Sequence, residues 1–318
     1  MKSITILLLS LAPAVADDCA LLPGHPLITV DHADPLAHLP ICSVNGSQTT
    51  ITLQAPAHFD WESFQVGAGS QFVIVSSGGT GFASFHNVTT ATPAVINGAI
   101  TADGPFTLQQ ATGGQILIGQ TGTITAPAVT LTTQRAADAI GYLRNGTGRF
   151  DAVAGTQPLL QVEGNLRATG GALKVIGSRL VQIGPHGKLE APGQKVSVFA
   201  GPNATVQASG IAAAELVDGE NNIVQHLGIA RGFRVEMHAV PDSVFGVSAV
   251  AGRAFISEVK SPPVRSGWTP HIPSMPLCKT IPWAASPLSA PTAEVTFRFR
   301  QQVSSSRISA TPLMTIRQ

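Results

Sequence analysis

The sequence predicts an all-β fold of short parallel strands stacked as a solenoid, with a separate cap at its N-terminus. Three observations carry this. First, one pattern repeats: Gly98-x-Ile100-x-Ala102 returns 24 residues later as Gly122-x-Ile124-x-Ala126. It returns again as Gly164-x-Leu166-x-Ala168 and, 23 residues on, as Gly187-x-Leu189-x-Ala191. A near-constant period in this range marks stacked units, each too small to bury its own apolar face. Second, the second and fourth copies agree beyond the apolar frame: Gly119, Gly122, Ala126 and Pro127 recur 65 residues later as Gly184, Gly187, Ala191 and Pro192. Third, charged residues are only 12% of the 318, about half the usual share, while glycines number 32. Long amphipathic helices would need far more Glu, Lys and Arg.

The first element is an export leader. Lys2 precedes the apolar run Ile4 to Leu11, and Ala14-Val15-Ala16 supplies a small-x-small site, so cleavage is expected after Ala16. The run is too short to span a bilayer. Ala16-Asp17-Asp18 before Cys19 is not a lipobox. Export permits disulfides, and Cys19 and Cys42 flank a 22-residue loop that they are placed to staple; Cys278 is then left over.

Residues 17–57 come next. Pro23-Gly24, Asp34-Pro35 and Asn45-Gly46 punctuate apolar pieces such as Leu27–Val30 and Thr50–Leu53, which read as hairpins or irregular strands. The first rung of an exported stack must be covered, or its open edge pairs with other chains. This segment is the natural cap. It also holds Asp31-His32-Ala33-Asp34 with His38, imidazole and carboxylate at a short spacing that zinc chemistry tolerates. No second cluster supplies further ligands, so a solvated turn beside Pro35 is the preferred reading and no metal residue is assigned.

The rungs are expected over 58–260. Trp61 and Phe64 open them as core residues; Gly67-x-Gly69 lacks the helix that a phosphate loop requires. In the stretch from Ile116 to Leu131, alternation points Ile116, Ile118, Ile124, Ala126, Val129 and Leu131 to one face. Thr, Gln and Ser fall on the other, as an exposed sheet with few charges would have. Three such strands make one circuit, and the next lies about 4.8 Å above it. The corners are expected at Gly98, Gly119, Gly122, Gly164, Gly184 and Gly187, on the argument that glycine reaches positive φ without steric cost.

Here the chain resembles a known family. The run Trp61-x-Ser63-Phe64-x-Val66-Gly67-x-Gly69, then Phe85-His86-Asn87-Val88-Thr89, then Ile96-x-Gly98-x-Ile100-x-Ala102-x-Gly104 is similar to the N-terminal secretion domain of filamentous haemagglutinin-type exoproteins, the cargo of two-partner secretion. Gly164-Asn165-Leu166-x-Ala168-Thr169-Gly170-Gly171 through Val196-Ser197-Val198-Phe199-Ala200-Gly201 resembles the rungs that follow there. The resemblance covers roughly 58–210. It implies a right-handed parallel β-helix with an N-terminal cap. It also implies passage through the periplasm and then through an outer-membrane β-barrel transporter of the two-partner type, and a role in long members as adhesins, haemagglutinins or contact-dependent toxins. One departure stands out. The family's Asn-Pro-Asn-Gly turn precedes an Ile-Leu-Phe-Gly-like strand. Here Ile116-Leu117-Ile118-Gly119 follows Gln109-Gln110-Ala111-Thr112-Gly113-Gly114-Gln115. No transporter-recognition residues are therefore carried over.

After Gly210 the frame weakens. Ile211 to Val217 is a short helix by propensity or an alternating strand. Residues 211–260 as a whole are expected to be further, less regular rungs. Between Ser261 and Thr292 there are 8 prolines in 32 residues, so 261–318 reads as a Pro-rich linker and C-terminal tail. Trp268 and Trp283 within it are expected to pack, and Glu294 to Arg300 alternates as a strand would. The stretch after the stack is too short for an outer-membrane barrel, so a self-contained autotransporter is not expected.

The functional reading is a secreted or cell-surface protein without catalysis, with no catalytic, cofactor or metal residue assigned. A net charge of +1 with scattered arginines gives no electrostatic footprint for nucleic acid. A β-helix polysaccharide-active enzyme is the first alternative. It would need clustered carboxylates, whereas Asp103, Asp138, Asp151, Glu163, Glu190 and Glu215 are spread out and the close pair Asp218 and Glu220 flanks a Gly turn. No Gly-x-Ser-x-Gly elbow is present. An envelope structural protein is the second alternative, and the cap argues against end-to-end polymerisation. The sequons at Asn45, Asn87, Asn145 and Asn203 carry weight only in a eukaryotic route. No receptor is legible.

Overall fold

The computed structural model describes residues 19, 22, 26–153, 158–215 and 223–239, together with the strand backbones 244–245, 249–251, 255–259, 295–296 and 315–316. The expected leader, Cys278, Trp268, Trp283 and the Asp218–Glu220 pair lie outside these residues. The fold is a parallel β-helix. From Ala57 the chain repeats one circuit of three strands. Ala57–Trp61 runs along one face, Gln65–Val66 along the next and Gln71–Ser76 along the third, and Ser84–Val88 then returns above Ala57–Trp61. Each circuit pairs in parallel with the one below. The narrow face reads Gln65–Val66, Ala94–Ile96, Ile116–Ile118, Leu159–Val162, Leu180–Ile183, Ile223–His226 and Val244–Phe245. The other two faces join into a single 16-stranded sheet, because Lys188–Ala200 and Ile229–Ala239 run on around the corner between them.

The repeat read from the sequence is this stack, in register. Ile100 lies on Phe72 and beneath Ile124; Leu166, Leu189 and Ala230 continue the column. All six side chains are buried. Burial alternates strictly along these strands, and so the period-2 pattern fixes the register: a one-residue slip would expose every one of them. Ile116, Ile118, Val129 and Leu131 point inward as expected.

The cap closes the N-terminal end with antiparallel strands. Leu27–Val30 pairs antiparallel with Ala57–Trp61, and Ile41–Asn45 folds back on Gln48–Leu53 through the Asn45-Gly46 turn, where Gly46 has φ +59°. Gln48–Leu53 also pairs in parallel with Gln71–Ser76, so it is at once a hairpin arm and the first strand of the stack. Cys19 and Cys42 are disulfide-bonded, and both are buried in the solenoid core beside Leu22 and Ile51.

Three expectations are corrected. The corner glycines Gly98, Gly119, Gly122, Gly164, Gly184 and Gly187 are not in the positive-φ region. Close approach of backbone requires Gly98, Gly122, Gly164 and Gly187, whereas at Gly119 and Gly184 the tight contacts of an added Cβ are with the side-chain ends of Asn97 and Glu163. A Cβ on Gly164 would meet the carbonyl oxygens of Gly119 and Gly122, and one on Gly187 that of Val162, at separations that real side chains do not reach. The narrow-face corners stack rung on rung and alternate in length. Gly119 to Gly122 and Gly184 to Gly187 are two-residue loops closed by bonds from Gly122 N to Gly119 O and from Gly187 N to Gly184 O, each 2.9 Å. At Gly98, Gly164 and Gly228 the chain turns without that loop, and the next rung donates to the first two: Thr123 N to Gly98 O, and Lys188 N to Gly164 O. A two-rung alternation explains why the second and fourth copies agree best.

The second correction concerns 211–217. Gly210–Glu215 is a strand but no part of a rung. It is the outer strand of a four-stranded antiparallel sheet, built from Arg135–Ala136, Gly148–Asp151, Asn203–Gln207 and Gly210–Glu215. Two excursions from the solenoid, one carrying Arg135–Ala136 and Gly148–Asp151 and the other Asn203–Gln207 and Gly210–Glu215, meet to form it. Between its first two strands lies helix α1, Ala139–Asn145, whose ends are specified locally. The Asp138 carboxylate accepts from Gly141 N at 2.8 Å, and Gly146, at φ +63°, donates its N–H to Tyr142 O. Ile223–His226, Ile229–Ala239 and the backbones of 244–245, 249–251 and 255–259 are rungs, whereas Val295–Thr296 and Thr315–Ile316 pair antiparallel with each other.

The third correction follows from the second. On the face of Ser84–Val88, Phe106–Gln110 and Val129–Thr132 the outward polar residues Thr107, Gln109, Thr130 and Thr132 are buried, because the excursions cover them. A second core forms there from Phe85, Tyr142, Leu143, Phe150, Ile176, Phe199, Ala204, Val206 and Ile211.

Candidate functional surfaces

Asp103, Asp138, Asp151, Glu163 and Glu190 are engaged separately, each in a structural bond. Asp103 accepts from Ser76 N and Oγ at 2.6 and 2.9 Å, Asp138 caps α1, and Asp151 pairs with Arg149 at 2.6 Å. Glu190 lies between Arg167 and Arg231 of the rungs on either side, at 4.0 and 3.6 Å. Glu163 Oε1 accepts from Gln161 at 3.3 Å. No two of them are brought together as an acid–base pair among the described residues. In the cap, the His32 and His38 rings stack at 3.5 Å, with both Nδ1 atoms turned to the backbone of Asp34. That arrangement is a hydrogen-bonded turn; among the described residues no group of three His, Cys, Asp or Glu side chains converges.

The aromatic residues of the opening strand are core, as expected. Trp61 and Phe64 are buried with Phe59, Phe72 and Phe106 around His86, an inward histidine that sequence reasoning passed over. Trp61 Nε1 donates to His86 Nδ1 at 3.1 Å, which places the imidazole proton on Nε2. Burial pushes the His86 pKa down to about 3, since the ring has no counter-charge to offset its lost hydration. His226, inward on the narrow face, is lowered to about 4 for the same reason.

The segment that departs from the family's Asn-Pro-Asn-Gly turn is a corner held by side chains. Gln110 is fully buried; its Nε2 donates to Thr90 O and Thr92 O, at 3.0 and 2.6 Å. Its Oε1 accepts from Thr112 N at 3.2 Å, and Thr112 Oγ1 donates to Thr90 O. A buried amide thus bridges this corner to the one below it.

A concavity lies beneath α1, where the excursion meets the solenoid. It measures about 310 Å³ and is lined by Pro105, Thr130, Tyr142, Leu143 and Lys174, with Ala208 at one side. Lys174 projects outward from Leu173–Gly177 and is 2% exposed. Its ammonium donates to Gln207 O at 3.0 Å and sits 5.8 Å from the Tyr142 ring centroid. The Tyr142 hydroxyl is bonded to Thr130 Oγ1 at 2.9 Å. The only sequence signal for this site is a lysine set in the apolar run Leu173 to Ile176.

The fold defines the class: a capped parallel β-helix with an extra-helical antiparallel sheet. No family model matches the chain, and no curated protein matches it. Among solved structures it is similar to the HMW1 secretion domain from Haemophilus influenzae, with a TM-score of 0.54 and 16% identity. The match covers 74% of this chain and 64% of that one. At this identity the likeness is one of fold.

Proposed function

We propose that this chain is a secreted or cell-surface, non-catalytic protein of the two-partner secretion type, adhesin-like, exported through the periplasm and an outer-membrane β-barrel transporter. The observation that carries the reading is the likeness in fold, over 74% of this chain, to a solved secretion domain. The Trp61-to-Gly69, Phe85-to-Thr89 and Ile96-to-Gly104 blocks support it, since each occupies consecutive circuits next to the cap. The dispersal of the carboxylates into separate structural bonds favours a binding over a catalytic role. The accompanying division is a leader at 1–16, a cap at 17–57, a β-helix at 58–260 and a tail at 261–318.

The test is fractionation of the tagged full-length protein in its host into periplasm, surface and medium, with and without a neighbouring outer-membrane barrel gene. The expected result is transporter-dependent appearance outside the cell. Retention in the periplasm in both backgrounds overturns the reading.

A further inference from the structure

We propose that the cavity beneath α1 is a binding site for a small organic carboxylate, held by the Lys174 ammonium. The argument starts from the cost of burying a charge. An ammonium carries three donors and no acceptor, and a buried one is retained only where it is paired or hydrogen-bonded. Lys174 is almost wholly buried, yet its one described acceptor is Gln207 O, a neutral carbonyl. The Tyr142 ring, 5.8 Å away, adds a weak electrostatic contact. No described carboxylate stands within ion-pair distance of it. Two N–H donors are therefore left at the wall of a cavity.

The rest of the wall suits such a ligand. Pro105, Ala128 and Leu143 offer apolar surface, and Thr130 and Tyr142 bring hydroxyls that already bond each other. The volume of about 310 Å³ falls at the small end of the range for small-molecule sites, roughly 300–1,000 Å³. The charge near the mouth is already neutralised: Arg144 is spent on Asp31, its Nε 2.8 Å from Oδ2. Lys174 is thus the cation that a ligand meets. Carboxylate is the class that matches a single buried ammonium beside hydroxyls and an apolar wall, because it fills both free donors and cancels the charge.

The site does not depend on the export route. The test uses the purified full chain, titrated with sodium benzoate and sodium glucuronate and followed by saturation-transfer difference NMR. Benzamide and glucose are the uncharged controls. Saturable binding of at least one carboxylate is expected, with its uncharged counterpart weaker by about ten-fold or more. Lys174→Met should weaken the carboxylate to the level of its control. Because that change touches a buried residue, Ala208→Trp is the second variant. Ala208 is exposed at the side of the cavity, so the change obstructs the site and leaves Lys174 in place. Loss of binding in both variants, with circular dichroism unchanged in Ala208→Trp, supports the site. Absence of saturable binding by either carboxylate, equal binding of the controls, or binding that survives Ala208→Trp overturns it.

Discussion

At the scale of single residues, the stack is governed by what has no room to be larger. Gly122, Gly164 and Gly187 sit where successive narrow-face corners touch, and an added methyl would run into the backbone of the rung below. Gly164→Ala is expected to destabilise the protein by about 2–3 kcal/mol, the cost of forcing atoms into a packed site that cannot yield. Gly170→Ala is the control: its Cβ would meet nothing within 4 Å, so the effect should stay within about 0.5 kcal/mol. Urea unfolding of both variants checks the pair. His86 makes a different prediction. Its pKa is depressed to about 3 in the fold and returns to about 6.5 on unfolding, so the unfolded chain binds the extra proton between those values. Stability contributed by the neutral ring is full above about pH 6.5 and is lost, by about 1.4 kcal/mol per pH unit, as pH falls toward 3. His226 acts in the same direction over the window down to about 4. His86→Met should reduce the pH slope of unfolding free energy near pH 5 by one proton. It should also cost stability at pH 7, because Trp61 Nε1 loses its acceptor.

At the scale of elements, the excursion sheet lies on one face of the solenoid over a second core and is expected to open as a unit. Its core centres on Phe150 and Tyr142, whose rings meet edge to face at 5.1 Å. A relay of side chains ties it down: Asn87 donates to Asp60, Gln109 donates to Asn87, and Ala136 N donates to Gln109, at 2.6 to 2.7 Å. Phe150→Ala should cost about 3–5 kcal/mol within that unit. Amide exchange should speed up across Asn203–Gln207 and α1, while Asn165–Ala168 and Leu180–Ile183 in the rungs stay protected. The cap is the other element with a local lock. Cys42→Ser removes a bond across 23 residues of sequence and should lower stability by about 3 kcal/mol, the loop-closure entropy returned to the unfolded chain. Arg144 and Asp31 join the cap to α1, and the Arg144 guanidinium holds the Asp31 carboxyl below its ordinary range. Arg144 is more than half exposed, so this ion pair adds orientation more than stability.

At the scale of the molecule, the solenoid is nearest-neighbour in its contacts: each rung pairs with the rungs before and after it, and the excursions bridge several at once. The cap replaces an open parallel edge with antiparallel strands, though Ile41 and Val44 of its hairpin and Leu27 of its other strand remain exposed. Truncation of residues preceding Gln48 should therefore leave the edge of Gln48–Leu53 unpaired and make the protein aggregate more than the intact chain does, read by light scattering.

The periodic part of this protein is legible in its amino acids alone. Alternation in Ile116–Leu131 set the inward face, and the spacing from Gly98 to Gly187 set the rung, because one geometry is imposed identically on every circuit and leaves the same local mark each time. Cys19 and Cys42 were legible as well, since proximity in the chain made their pairing the simplest one. The tertiary structure alone decided the aperiodic part. The strands at 135–151 and 203–215 pair across more than 50 residues, and no local pattern records such a contact. The same distance hid the candidate site: Lys174 is an ordinary outward lysine until Gln207 and Tyr142, from two different excursions, close over it. The reason for the corner glycines was hidden in the same way. A glycine demanded by backbone dihedrals and one demanded by a neighbouring rung are the same letter, and only the stacked carbonyls of Gly119 and Gly122 tell them apart at Gly164.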